Sequence, residues 1–320
     1  MRVGLMVGTD RDCPPAERLG RLLSTAQSAE DHGFASFWFP QVPGYLDAMS
    51  VLALIGQRTK HIELGTAIVP IQTRHPIAMA QQALTTGAAC AGRFTLGLGP
   101  SHHWIIEDQL GLSYDRPAHQ VRDYLQVLGP ALRAPGPVEV ENDTYRVRSP
   151  LDVTDTGPPQ VLLAALGPAM LRLAGEHTQG TILWMADERA VAEHVVPRIT
   201  AAAQAAGRGS PRVVAGVPVA LCAAGEVDRA RAHANQVLGH AELSPNYLKL
   251  LERGDATDVG DTMAAGDEAA ILARLGRYRD AGVTDLAARV IALGDSAAAR
   301  SESRCRTEEF LATVGFGAAG

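Results

Sequence analysis

Short apolar runs alternate with amphipathic stretches along almost the whole chain. Val3 to Val7 reads as a buried strand. Glu17 to His32 follows as a helix, with Leu19, Leu22, Leu23, Ala26 and Ala29 at helical spacing and Gly33 as its C-cap. The pattern then repeats, with a strand at Ser36 to Phe39, a helix at Leu46 to Gln57 and a strand at Ile62 to Val69. Pro76 opens a helix at Ile77 to Ala89, in a first turn that does not need its missing N–H. Phe94 to Leu98 is a fourth strand, and Val161 to Leu166, Gly180 to Met185, Val213 to Leu221 and Asp285 to Leu293 supply four more, each followed by a helical stretch. Eight strand-plus-helix units predict a parallel sheet, and eight is the number that closes a barrel. The expected fold is a single (β/α)8 TIM barrel domain over residues 1–320. An open doubly wound sheet is the rival, disfavoured because no dinucleotide-binding fingerprint opens the chain.

Two segments break the rhythm as insertions after the fourth and seventh strands. The first holds a helix at Arg116 to Leu132 and a hairpin around Val138 to Val147; the second, Leu238 to Ala265, is polar and rich in Gly and Asp. Segments that follow barrel strands sit at the catalytic face and shape the substrate cavity. An inert surface loop explains the second equally well.

Composition narrows the function classes. Among 320 residues, 46% are hydrophobic and 20% charged, as in an ordinary soluble globular protein. A net charge of −6 argues against a nucleic-acid surface, which needs clustered Lys and Arg. Small anions stay possible ligands, because backbone amides hold them. The four cysteines (Cys13, Cys90, Cys222 and Cys305) are widely spaced, so they offer no zinc or redox signature and read as reduced, mostly buried thiols. No metal site is expected. The first residues lack a signal peptide's long apolar region and no run is long enough to span a bilayer, so the expectation is a cytoplasmic protein.

Two strand-to-helix junctions carry candidate chemistry. Gly97-Leu98-Gly99 is half of a G-x-G-x-x-G, but His102 stands at the last glycine position, so a strict dinucleotide loop is absent. Glycines at a strand's mouth still let a planar ring approach the backbone; tight core packing is the other explanation. Ala165-Leu166-Gly167-Pro168 leads into a helix whose free N–H groups form an anion site without Lys or Arg, a simple tight turn being the alternative.

The motifs in order resemble a known family. A strand ending in Thr66, Pro70 and Arg74-His75-Pro76, a helix, and then Gly92-Arg93-Phe94-Thr95-Leu96-Gly97-Leu98-Gly99 closely resembles the luciferase-like oxidoreductase superfamily. So do Ala29-Glu30-Asp31-His32-Gly33-Phe34 with Phe37-Trp38, and Gly167-Pro168-Ala169-Met170 running on to Gly175-Glu176. Within it, Leu166-Gly167-Pro168-Ala169-Met170, the Gly99-Pro100-Ser101-His102 turn and Tyr114-Asp115-Arg116-Pro117 look most like the branch that uses coenzyme F420, with FMN as the alternative cofactor.

The resemblance implies a cofactor lying against Pro40, Gln41, Ala67, Ile68, Gly99, Pro100, Ser101, Ala165, Leu166, Gly167, Pro168 and Met185, and a non-prolyl cis peptide at Ala67-Ile68. Trp184 is a second residue expected to pack on it. Similar dehydrogenases carry an acidic residue and a proton-transferring histidine where this chain has Phe39-Pro40-Gln41. Gln41 cannot do acid–base work, so a reductase fits better, with Gln41 hydrogen-bonding ring or substrate. His102 falls where those enzymes have a catalytic carboxylate. A histidine there suits proton donation near neutral pH. The adjacent His103 points elsewhere, so the two are not a metal pair. Arg74, His75 and Arg93 are expected to anchor strand ends, and Glu107 either lines the same loop or lies exposed. The implied activity is hydride transfer from reduced F420 to a C=C or C=N bond of a small organic substrate, by a homodimer. An FMN-dependent monooxygenase and a non-catalytic cofactor-binding relative are the alternatives.

Overall fold

The computed structural model describes residues 1–9, 13–133, 135–153, 157–239 and 244–315. Its strands are β1 (Arg2–Met6), β2 (Ser36–Phe39), β3 (Glu63–Thr66), β4 (Val69–Pro70), β5 (Phe94–Gly99), β6 (Gly136–Glu141), β7 (Arg146–Leu151), β8 (Gln160–Leu163), β9 (Gly180–Trp184), β10 (Arg212–Leu221), β11 (Ala264–Gly266) and β12 (Asp285–Val290). Eight of them, in the order β1, β2, β3, β5, β8, β9, β10, β12, pair in parallel and return to β1. An open sheet would leave two edges unpaired; here β9 meets β10 and β12 meets β1, so the barrel is closed. The short β11 adds to the far end of β10, and β6 with β7 forms the expected antiparallel hairpin.

Alternation along β2 shows how the sequence builds two layers. Phe37 and Phe39 point outward into the core shared with the helices, while Trp38 points inward among Leu162, Ile182, Val214 and Ala287. An indole fits there because β3 presents Gly65 to it; a β-carbon at Gly65 would collide with the Trp38 ring. Likewise a β-carbon on Gly216 would fall 2.6 Å from the ring of Trp184. The helices behind the strands start where their caps dictate. Asp47 accepts from Ser50 N at 3.0 Å to open Ala48–Gly56, and Pro76 occupies the first turn of Pro76–Ala89.

The strand ends are where sequence patterning overreached. The run Ile62 to Val69 is not one strand: β3 stops at Thr66, β4 resumes at Val69, and the Ala67-Ile68 peptide between them is cis. The runs ending at Leu166, Met185 and Leu293 stop as strands at Leu163, Trp184 and Val290, where ladder partners run out. The apolar residues beyond continue into loops at the mouth.

At the opposite end the barrel is closed by charge. Arg212 donates to Glu63 at 2.9 Å and to Asp285 at 2.8 Å, Arg2 reaches both carboxylates, and Gln160 and Thr95 join in. Arg93 ties four oxygens of the segment from Gly56 to Ile62, which confirms its anchoring role. Cys13, Cys90 and Cys222 are buried and Cys305 is exposed. No helix among the described residues is long and apolar enough to cross a membrane.

Candidate active site at the barrel mouth

The carboxyl ends of the barrel strands converge on an apolar floor. Met6, Ala67, Ile68 and Ala164 pack on the inner cluster around Trp38, so the interrupted third strand lies directly above the barrel core. Thr66 fixes the fourth strand beside it: its hydroxyl donates to Gly97 O at 2.7 Å and accepts from Gly97 N at 2.9 Å. A β-carbon on Gly99 would sit 2.9 Å from that of Ala164, which explains the glycine as close strand packing. Pro40 and Gln41 follow β2. Gln41 N donates to Ile68 O at 3.3 Å, while its side-chain oxygen accepts from Ala48 N at 2.8 Å. The carboxamide is therefore anchored to a helix start, and only its NH2 is left to meet a ligand.

Backbone strain marks two of the expected positions. Ser101 and Met185 have φ of 61° and 59°, although neither is glycine. Non-glycine residues rarely adopt this region, and such outliers cluster at ligand-binding and active sites. Ser101 is held by Tyr114, whose hydroxyl donates to Ser101 O at 2.8 Å. The Met185 side chain does not share the floor; it is buried with Leu251, Ala256 and Val259, against Trp184 and Tyr247.

His102 lies at the centre of an aromatic group. Its Nδ1 is 2.9 Å from Ser244 Oγ, its ring stacks on Tyr247 at 5.4 Å, and Trp104 lies 5.6 Å away. Its neighbour His103 turns instead to Tyr114. Burial, with the charge of His103 second, pulls His102 down to about 4. The expected near-neutral proton donor is therefore corrected: at pH 7 the ring is neutral, because Tyr247 and Trp104 remove the water an imidazolium needs. Burial likewise raises the Tyr247 hydroxyl far above its ordinary value.

A stability consequence follows. A histidine whose pKa falls on folding takes up its proton first in the unfolded chain, so stability is complete above about 6.5 and declines as pH falls toward 4. His102→Asn removes that titration. Urea midpoints between pH 7 and pH 5 should drop less in the variant, by about 1–2 kcal/mol; parallel pH profiles would refute the assignment.

At the fifth strand's end, Ala165 is buried and Leu166 half-buried, and Gly167 caps the helix Pro168–His177 with no side-chain acceptor. Among the described residues, Gly167, Ala169 and Met170 have N–H groups with no backbone acceptor outside the helix ladder, and a β-carbon on Gly167 would meet nothing within 4 Å. This is the geometry of an anion site. Glu107 is exposed, close enough to Tyr114 for its charge to help raise that hydroxyl's pKa. Arg74 pairs with Asp47 and His75 caps its helix, both structural.

The family model described as luciferase-like monooxygenase matches residues 1–285. The chain belongs to this family. A curated relative, the 5,10-methylenetetrahydromethanopterin reductase of Methanolobus tindarius, is 26% identical over 264 residues, covering 81% of this chain and 79% of its own. The coenzyme F420-dependent tetrahydromethanopterin reductase of Methanopyrus kandleri superposes with a TM-score of 0.72 at 22% identity over 98% of both chains. A type II Baeyer–Villiger monooxygenase of Pseudomonas putida, solved with FMN, gives a TM-score of 0.76 at 14% identity over 98% of this chain and 97% of its own. At these identities the superpositions establish the shared fold.

Sequence reasoning missed Ser244, Tyr247, Trp104 and Arg289. Ser244-Pro245 does carry a signal, a capping residue followed by a first-turn proline, that marks the helix Pro245–Leu251 but not its packing on His102. Arg289 lies beside Gly8 at the mouth, where a β-carbon on the glycine would strike its guanidinium. Trp104 Nε1 and Gln72 Oε1 are buried with no hydrogen-bond partner, although Gln72 Nε2 reaches Pro100 O at 3.1 Å.

Proposed function

We propose that the chain is a coenzyme F420-dependent oxidoreductase that reduces a C=C or C=N bond of a small organic substrate. The observation that carries the reading is that the Gly167-Ala169-Met170 amides and the Ala67-Ile68 floor both lie at carboxyl ends of the barrel strands, in a chain similar to a coenzyme F420-dependent reductase. The residues fit the group. The amides suit a phosphate, an apolar floor suits a flat ring system, and the buried, unpartnered Trp104 Nε1 is a donor awaiting an acceptor. When bound, the cofactor supplies the hydride, and the barrel supplies orientation and exclusion of water. Pro40, Gly99, Pro100 and Ser101 form the rim around it. A neutral His102 beside Ser244 would orient the substrate by a hydrogen bond, with the proton that completes the reduction drawn from water, and Gln41 NH2 would orient ring or substrate.

The FMN-containing monooxygenase neighbour supports a second reading with the same fold and an oxygen-activating reaction. Equilibrium binding separates the two. The expected result is micromolar or tighter binding of F420 and weak binding of FMN; tight FMN binding without an F420 response would replace the first reading by the second. Hydride transfer from reduced F420 to any substrate would eliminate a non-catalytic relative. The homodimer belongs to the same proposal, and a solution mass near 33.8 kDa would overturn it.

A further inference from the structure

His194 is almost completely buried, 2% exposed, and plays no part in the site as described so far. It sits in the helical stretch that starts at Glu188 and ends at Ala205. This stretch contains one wider turn, Val191–Val195, closed by Val196 N donating to Val191 O. Such turns advance the side chains out of the ordinary helical phase and are often found at functional sites. Here the wider turn carries the imidazole whose Nε2 lies 2.7 Å from Leu166 O.

A carbonyl oxygen only accepts, so Nε2 carries the proton and Nδ1 is bare. Nδ1 is also buried, with no hydrogen-bond partner among the described residues. A buried acceptor without a partner costs stability, so a purely structural brace has no reason to favour histidine here. Burial and the guanidiniums of Arg253 and Arg198 oppose protonation and Leu166 O alone favours it; the balance is a lowered pKa, which keeps the ring in this one tautomer.

The consequence lies one peptide away. The Leu166-Gly167 peptide is trans, and in a planar trans peptide the C=O and the following N–H point in opposite directions. Holding Leu166 O against His194 therefore aims Gly167 N–H away from His194. That N–H has no backbone acceptor among the described residues, and a β-carbon on Gly167 would meet nothing within 4 Å. It joins the free amides of Ala169 and Met170; Pro168 between them has none.

We propose that His194 is a positioning residue for the anion cradle: it fixes the Leu166-Gly167 peptide plane so that Gly167 N–H completes a three-amide site for a cofactor phosphate. The inference rests on the reading of this mouth as a phosphate-bearing cofactor's site. It assigns a role to a residue that contacts neither cofactor nor substrate.

The test measures dissociation constants for F420 and for FMN with full-length wild type, His194→Leu and His194→Gln. Leucine removes the donor and glutamine restores an N–H at similar reach. His194→Leu should weaken the cofactor that wild type binds by about tenfold, the loss of one hydrogen bond to a charged group. His194→Gln should stay within about threefold of wild type. In protein labelled with 15N-glycine, the Gly167 amide should shift on adding that cofactor to wild type and not to His194→Leu. A brace alone would lower the unfolding midpoint of both variants without changing affinity. Should His194→Leu fail to fold, His194→Asn, polar but too short to reach Leu166, takes its place with the same tenfold expectation. Wild type that binds neither cofactor overturns the oxidoreductase reading and this inference together. Tight wild-type binding with His194→Leu within twofold overturns the inference alone.

Discussion

Arg212→Met should lower the unfolding free energy by about 3–5 kcal/mol, among the largest losses any single substitution in this chain will produce. The guanidinium is shared by Glu63 and Asp285, whose side chains are 15% and 3% exposed. Methionine fills much of the same volume, so the loss comes from electrostatics and not from a cavity. Two carboxylates would remain, poorly hydrated and facing each other, with only Arg2 against them. Arg2 is 46% exposed, and its own replacement by methionine should remove no more than about 1 kcal/mol. The network joins the neighbouring strands β10, β12 and β1 to β3, which lies two strands on from β1, so its failure loosens the ring at more than one seam. Urea unfolding of the two variants checks the claim; equal midpoints for Arg212→Met and Arg2→Met would rule it out.

That network also shows what a sequence holds and what it hides. The ring itself was legible, because short apolar runs such as Ser36–Phe39 and helical runs such as Arg18–Asp31 are local properties of consecutive side chains. The helix start at Pro168 was legible for the same reason: Gly167-Pro168 is a cap and a first-turn proline in two consecutive letters. Partners distant in sequence were not. Glu63 and Arg212 are 149 residues apart, and His102 and Ser244 are 142 apart. Nothing near His102 announces the aromatic ring that dries it, so its pKa was misjudged. Gln41 was readable as incapable of acid–base chemistry, but not as an anchor for Ala48. The wide turn that carries His194 leaves no compositional trace at all, since Val191 to Val195 would serve equally well in an ordinary helix.

The second large effect is expected at Gly97, where the fold and the site meet. A β-carbon there would overlap Thr66 O and lie 3.5 Å from Ile68 Cγ2. The oxygen is backbone and cannot swing aside as a side chain would. It is further held because Thr66 Oγ1 clamps the same glycine through both its N–H and its C=O, at 2.9 and 2.7 Å. Gly97→Ala must therefore push β5 away from β3, straining a buried ladder on which the Ala67-Ile68 floor depends. Overpacking of this kind costs about 1–3 kcal/mol where side chains adjust, and more where backbone must move, so a loss of about 3 kcal/mol or more is expected. Cofactor affinity should fall in the same variant, by tenfold or more, because the displaced strand carries Gly99, Pro100 and Ser101 to the rim. Gly20→Ala is the control: its β-carbon meets nothing within 4 Å, in an exposed helical turn where alanine is the better former. It should be neutral or slightly stabilising. A Gly97→Ala protein that unfolds at the wild-type midpoint and keeps wild-type affinity would mean that the third and fourth strands do not meet as described.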